Sequence, residues 1–152
     1  MKLRRILHAT DFSPASRHAF AKALDLAKES RAGLLIVHVR STVVPMVEGY
    51  TAVEVYADIQ RANRAYATKQ LDRLVAQARQ ARVRTESLLL EGIAADQIAR
   101  AARRRRADMV VIGTHGRTGL AKLFLGSVAS RVVATAGCPV LTVRGGSRPR
   151  RR

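Results

Sequence analysis

The 152-residue sequence predicts an α/β fold: an open five-stranded parallel sheet with helices on both faces. Three observations predict it. Five short apolar runs alternate with four longer segments whose apolar residues recur at helical spacing. The runs are near-continuous stretches of Val, Ile and Leu, the pattern of strands covered on both faces. Turn-forming residues, among them Asp11-Phe12-Ser13-Pro14 and Glu91-Gly92, punctuate the alternation.

The first strand lies within residues 2–10, carried by Leu3, Ile6 and Leu7, and stops at the Asp11 turn. Pro14 suits the first turn of a helix capped by Ser13, because that position leaves its N–H unpaired in any case. Ala19, Phe20, Ala23, Leu24 and Ala27 give this helix one apolar face up to about Arg31, and Gly33 reads as its terminator. Residues 34–39 form the second strand, apolar except for His38. Residues 40–51, with Pro45 and Gly49 and no period, form a loop longer than usual for a strand-to-helix connection, of a length that often covers a site. Val55, Ile59, Ala62, Tyr66, Leu71, Leu74 and Ala78 then mark the apolar positions of a long helix over residues 52–81. A third strand follows at 85–90, and a helix at 94–105 turns Ile98, Ala101 and Ala102 inward and its Arg run outward. Asp108 precedes the fourth strand, residues 109–112; residues 120–136 read as a helix and 139–143 as the fifth strand. The domain spans 1–144, and the basic tail 145–152, lacking any core-forming residue, is expected to be disordered.

A chain of this length buries a core without disulfides or metal. Cys138 is the only cysteine, which excludes an internal disulfide framework and fits a reducing cytosol, so a cytoplasmic location is expected. The basic start is followed by an apolar run broken by His8, Thr10 and Asp11, which is no signal peptide, and no stretch suits a membrane-spanning helix. His8, His18, His38 and His115 show no i+3 or i+4 pairing, so no metal site is expected. His8 and His38 read as neutral core groups. Cys138, ahead of Pro139, reads as a structural thiol.

The formal net charge is +17, and from Arg100 onward 13 basic residues face a single acid, Asp108. A positive field of this kind concentrates polyanions, whether nucleotide or nucleic acid. The skew toward Arg, 23 against five Lys, is equally what genome base composition produces.

The binding chemistry concentrates in residues 112–127, I-G-T-H-G-R-T-G-L-A-K-L-F-L-G-S. Gly113 and Gly116 lack a Cβ, so a ligand can approach the backbone there and the N–H groups between them can face one anion. Gly126 and Ser127 supply a second close-approach point and a hydroxyl, giving the spacing G-x2-G-x9-G-S. His115 and Arg117 sit within the cradle, and Arg117 has the planar fork that matches phosphate oxygens. Neither G-x4-G-K-[ST] nor an early G-x-G-x-x-G occurs. In open parallel sheets ligands bind where strand order reverses, at the carboxyl ends of strands. That rule requires strands one and four to be neighbours, as in an order 3-2-1-4-5, and so brings Ala9, Thr10, Asp11 and Ser13 beside Ile112 and Gly113. Asp11 either meets a nucleoside or caps the following helix. Val39, ending strand two, either packs on a purine or belongs to the core.

The run GTHGRTGLAKLFLGSVASRVVATAGCPVLTVR and the opening ILHATDFSPASRHAFAKALDLA resemble the universal stress protein family, and between them frame nearly the whole chain. The spaced glycines resemble its ATP-binding branch. The resemblance implies a Rossmann-like, adenine nucleotide alpha hydrolase-like fold in the order 3-2-1-4-5. It places Asp11 at the nucleotide and favours Val39 as a purine contact, with Gly113 to Val128 as the ATP-binding stretch; beside phosphates the Asp11 carboxylate is repelled unless it faces ribose hydroxyls or a bridging Mg2+ ion. It also implies a homodimer through the edge strand from Pro139 to Val143. One departure is Ala94, where many members carry proline. Proline pre-sets a first helical turn, so the change is expected to bear on helix entry and to leave the nucleotide loop untouched.

The expected function is therefore an ATP-binding stress-response or regulatory module with at most slow hydrolysis. An adenylate-forming or ATP-hydrolysing enzyme is the second reading, although neither H-x-G-H nor S-G-G-x-D-S occurs. Nonspecific nucleic-acid contact through the R-P-R-R-R tail is the third, with six aromatic residues in the chain and none interleaved with the basic runs.

Overall fold

The computed structural model describes residues 1–42, 50–114 and 125–145. Its elements are β1 (Arg5–Ala9), α1 (Pro14–Ser30), β2 (Gly33–Arg40), α2 (Tyr50–Gln80), β3 (Thr85–Glu91), α3 (Ala94–Arg104), β4 (Met109–Gly113), α4 (Ser127–Thr135) and β5 (Val140–Val143). All neighbouring strands are parallel, in the order β3-β2-β1-β4-β5. The first strand is thus central, with Ala9 in register with Val37 on one side and Ile112 on the other.

Side chains alternate across a strand, and here both faces are covered. Leu7, Ala9, Leu35, Val37, Val110 and Ile112 pack with residues of α3 and α4, whereas Ile6, Leu34, Ile36 and Val111 pack with α1 and α2. This is why the strands read as unbroken apolar runs. Each fully buried Leu, Ile or Val contributes about 1.5–3 kcal/mol relative to exposure.

The first three helices end in one repeated device. Arg31, Arg82 and Arg106 each adopt left-handed backbone, with φ of 56°, 61° and 51°. The next residue's N–H then reaches back five positions, Ala32 to Ala27 O, Val83 to Ala78 O and Ala107 to Ala102 O, at 2.9–3.0 Å. These are Schellman closures, with arginine where glycine is usual and a buried apolar residue after it. The expected terminator Gly33 instead opens β2. The α1 stop comes from Arg31, whose cap hydrogen bonds and the burial of Ala32 outweigh its backbone preference.

Two other expectations are corrected. The 31-residue α2 is about 46 Å long at 1.5 Å per residue, whereas β2 and β3 have eight and seven residues. Its second half buries Ala67, Leu71 and Ala78, but Val55, Ile59, Ala62 and Tyr66 lie beyond the strands it covers and are exposed. The fourth helix begins at Ser127, because Gly126 is its extended N-cap (φ −58°, ψ 156°) and Leu125 precedes it. The remainder of the expected helix, 120–124, the loop positions 43–49 and the tail from 146 lie outside the described residues.

Two polar groups, one half-buried and one fully buried, organise β1. Asp108 Oδ2 accepts the main-chain N–H groups of Arg4 (2.7 Å) and Arg5 (2.8 Å), which ties the entry of β1 to that of β4 and holds the carboxyl below the usual carboxylate range. His8 is fully buried, as expected. Its Nδ1–H donates to Val111 O at 3.1 Å, which leaves Nε2 a bare acceptor without a partner among the described residues. Burial pushes its pKa down to about 4, against the opposing effects of the Val111 carbonyl and the Asp11 charge. Among the described residues no helix is long and apolar enough to cross a membrane.

Candidate functional site

At the carboxyl ends of β1, β2 and β4 the sheet opens into a cleft of about 340 Å3, on the face covered by α3 and α4. Its floor is Ala9, Val37 and Ile112, three side chains that alternate onto the same side of adjacent strands.

The β1 side is set by a tightly bonded turn. Thr10 N–H donates to Val37 O (2.9 Å), Thr10 Oγ1 accepts from Phe12 N–H (3.1 Å) and Ser16 Oγ (2.7 Å), and Asp11 Oδ1 accepts from Ser13 N–H (3.0 Å). These bonds carry Phe12 into left-handed backbone at φ 63°, a costly place for an aromatic residue. The ring is held by packing on His38 (centroids 4.4 Å) and edge-on to Tyr66 (6.2 Å), while His38 Nδ1–H donates to Thr10 O at 2.7 Å. Thr10, Asp11 and Ser16 all line the cleft. Ser13 lies outside that lining, with its Oγ accepting Ser16 N–H (3.2 Å) as the cap of α1.

Val39 supplies the β2 side with more than its methyl groups. Main-chain polar groups of successive strand residues point to opposite neighbours, so those two apart point to the same one, and Val37 O is turned toward β1. Val39 therefore directs its own N–H and C=O the same way. The β1–β2 register ends at Ala9 and Val37, followed by the Thr10 N–H bond, so the pair from Val39 meets the cleft beyond it.

On the β4 side Gly113 is required by close approach. A Cβ there would sit 3.2 Å from the Ala15 carbonyl carbon and 3.3 Å from Ser16 N, so β4 packs directly on the first turn of α1. Its backbone is not among the positive-φ positions, and α1 is what its missing side chain admits. Beyond it, Thr114 O accepts Gly126 N–H at 2.7 Å, which brings the start of α4 to the end of β4. The Gly126 cap donates no side-chain acceptor, so the first N–H groups of α4 carry the helix's partial positive charge beside Gly126, Ser127 and Val128, which line the cleft. His115, Gly116 and Arg117 lie outside the described residues, within the segment whose two ends meet at the Thr114–Gly126 bond.

The structure adds a wall that sequence reasoning missed. Ala94 and Ile98, on the first turns of α3, line the same cleft, as do Ser16, Val37, Thr114 and Ala129. The departure at Ala94 therefore bears on the cleft as well as on helix entry. The signal was available in the rule that helices following β3 also begin at the carboxyl edge. Ile98 is one turn beyond Ala94 on the same helix face.

Asp11 is the one titratable side chain among the described lining residues, and no cluster of three metal-ligating side chains occurs among the described residues. Cys138 lies elsewhere, half-buried, its thiol pKa raised by burial first and by the Asp108 charge second.

Comparison with known proteins gives the family and the fold. The model of the universal stress protein family matches residues 2–144. A universal stress protein of Methanocaldococcus jannaschii is 35% identical over 141 residues, covering 93% of this chain and 82% of that protein. One of Thermus aquaticus is 36% identical over 142 residues, covering 93% and 98%. Among solved structures, a universal stress protein family protein of Arabidopsis thaliana with AMP bound superposes with a TM-score of 0.69 at 22% identity, covering 95% of this chain and 93% of that one.

Proposed function

The chain belongs to the universal stress protein family, and from that premise we propose that it is an ATP-binding regulatory module whose ligand occupies the cleft between β1, β4, α3 and α4. The observation that carries the reading is the meeting of three chemistries in one hollow. A main-chain donor and acceptor on Val39 match the paired acceptor and donor on the edge of adenine. Val37, Val39, Ile98 and Ile112 give the base an apolar bed. The uncapped start of α4 suits phosphate, because its N–H groups are oriented toward one end and carry the positive end of the helix dipole.

Asp11 then lies between the base and phosphate ends, where its carboxylate accepts from ribose hydroxyls. An Mg2+ ion fits only as a guest of the phosphates, with Asp11 as the one carboxylate at hand. Binding rather than turnover is the proposed activity. Phosphoryl transfer needs a residue that orients the attacking group, and the described lining offers a single carboxylate for every role. Slow hydrolysis is compatible with this arrangement. His115, Gly116 and Arg117 belong to the phosphate end in this reading, by their place in the spaced-glycine segment. Nucleotide occupancy would act on a cytoplasmic homodimer paired through the exposed edge of β5, which ends the sheet next to Gly113.

Mass spectrometry of nucleotide released from freshly purified protein, with calorimetric titration of ATP and AMP in the presence of Mg2+, tests the proposal. Adenine nucleotide bound at one site per chain supports it. Protein that carries none and takes up none overturns it.

A further inference from the structure

The end of the sheet opposite the cleft carries its own charge pattern. Parallel strands all begin there, and their entries are tied together by main-chain bonds: Leu34 N–H to Arg84 O (2.9 Å), Gly33 N–H to Arg4 O (2.8 Å) and Asp108 N–H to Arg5 O (2.8 Å). Arg84, Arg4 and Arg5 thus stand side by side across the entries of β3, β2, β1 and β4. Arg84 leans over the row, with its Nε 3.5 Å from where a Cβ on Gly33 would be. Between them stand the three helix closures, Arg31, Arg82 and Arg106. All six of these side chains belong to exposed residues.

Helix dipoles favour cations at helix C-termini, which accounts for basic residues near Arg31, Arg82 and Arg106. They do not account for Arg4, Arg5 and Arg84, which are on strand entries, nor for arginine at three left-handed positions that glycine fills more easily. The nearby acids are largely engaged. Asp108 accepts two main-chain N–H groups and Glu86 pairs with Arg105 at 3.4 Å, leaving Glu29 on the last turn of α1. Among the described residues the side-chain ion pairs run to Arg40, Arg61, Arg64, Arg105 and Arg131, not to these six.

We propose that this arginine row is a docking face for the phosphate backbone of double-stranded DNA, separate from the nucleotide cleft and from the C-terminal tail. Three strand spacings make the row about 15 Å wide, against which a duplex presents one charge per ~1.7 Å of axis. Arginine's fork suits phosphate oxygens. No aromatic side chain stands on the strand entries, which disfavours single strands that bind by stacking. A membrane surface calls for apolar anchors, and the exposed ones gather mainly on the first half of α2 and around the cleft, with Met1 the nearest to the row.

The test uses the full chain, a fluorescent 20-base-pair duplex and anisotropy between 50 and 200 mM salt. Six phosphate contacts predict an affinity loss of about 1,000-fold across that range. A triple variant, Arg31→Gly, Arg82→Gly and Arg106→Gly, removes half the row while placing glycine where the backbone favours it. Its salt slope should fall by about 2.7, with binding at 100 mM salt weakened at least ~10-fold and nucleotide affinity unchanged. Deleting residues 145–152 should leave most of the duplex binding. Equal binding by the triple variant, loss on tail deletion alone, or preference for phosphatidylserine vesicles over the duplex would each overturn the proposal.

Discussion

Gly126 N–H donates to Thr114 O at 2.7 Å, and Thr114 N–H donates in turn to Val143 O at 2.9 Å. Two bonds therefore fasten the start of α4 to the carboxyl ends of β4 and β5. The consequence is functional: the positive end of α4 is held at the cleft by the backbone of the sheet, so anion attraction there needs no rearrangement of these elements.

The neighbouring Gly113 should behave as a packing residue as well as a lining one. In Gly113→Ala the new Cβ meets the first turn of α1 at 3.2–3.3 Å, and overpacking against backbone costs about 1–3 kcal/mol. Chemical denaturation should show that loss with and without nucleotide. Unchanged stability would mean that β4 and α1 separate easily.

Ala94 reports on ligand with less disturbance to the fold. It is half-buried at the start of α3, and leucine has nearly alanine's helix propensity. Ala94→Leu puts added side chain into a cleft of about 340 Å3, so ATP affinity should fall at least ~10-fold, about 1.4 kcal/mol, while the melting temperature stays close to the parent's. Titration calorimetry and thermal denaturation check the two halves.

His8 gives the fold a built-in acid sensitivity. Its folded pKa of about 4 lies below the ordinary 6.5, so the unfolded chain binds more protons between those values. The stability of neutral His8 is complete above pH 6.5 and declines as pH falls toward 4, by about 3 kcal/mol in all. His8→Leu should flatten that part of the profile in urea melts at pH 7 and 4.5. A parent profile no steeper than the variant's would show that the unfolded and folded imidazoles titrate alike.

Much of this was legible in the chain. Continuous apolar runs and the Pro14 and Ser13 signals located β1, α1 and the covered sheet. The switch-point rule alone demanded that β1 and β4 adjoin, as Ala9 and Ile112 do. What escaped reading depended on distances between elements. Gly33 looked like a helix stop because glycine usually is one, yet Arg31 takes the left-handed turn once Ala32 is buried. Val55 and Ile59 keep helical period whether or not a sheet lies beneath them, so period could not show where α2 outruns the strands. Ala94 carries no chemistry of its own, and only the packing of α3 beside Val39 makes it a wall.

A crystal structure of the full chain with ATP and Mg2+ tests the central claim most directly. The account predicts adenine against Val39 with its edge on that residue's main-chain N–H and C=O, and phosphates at the N–H groups of Ser127 and Val128. An empty cleft at saturating ATP, or nucleotide bound at any other surface, would contradict it.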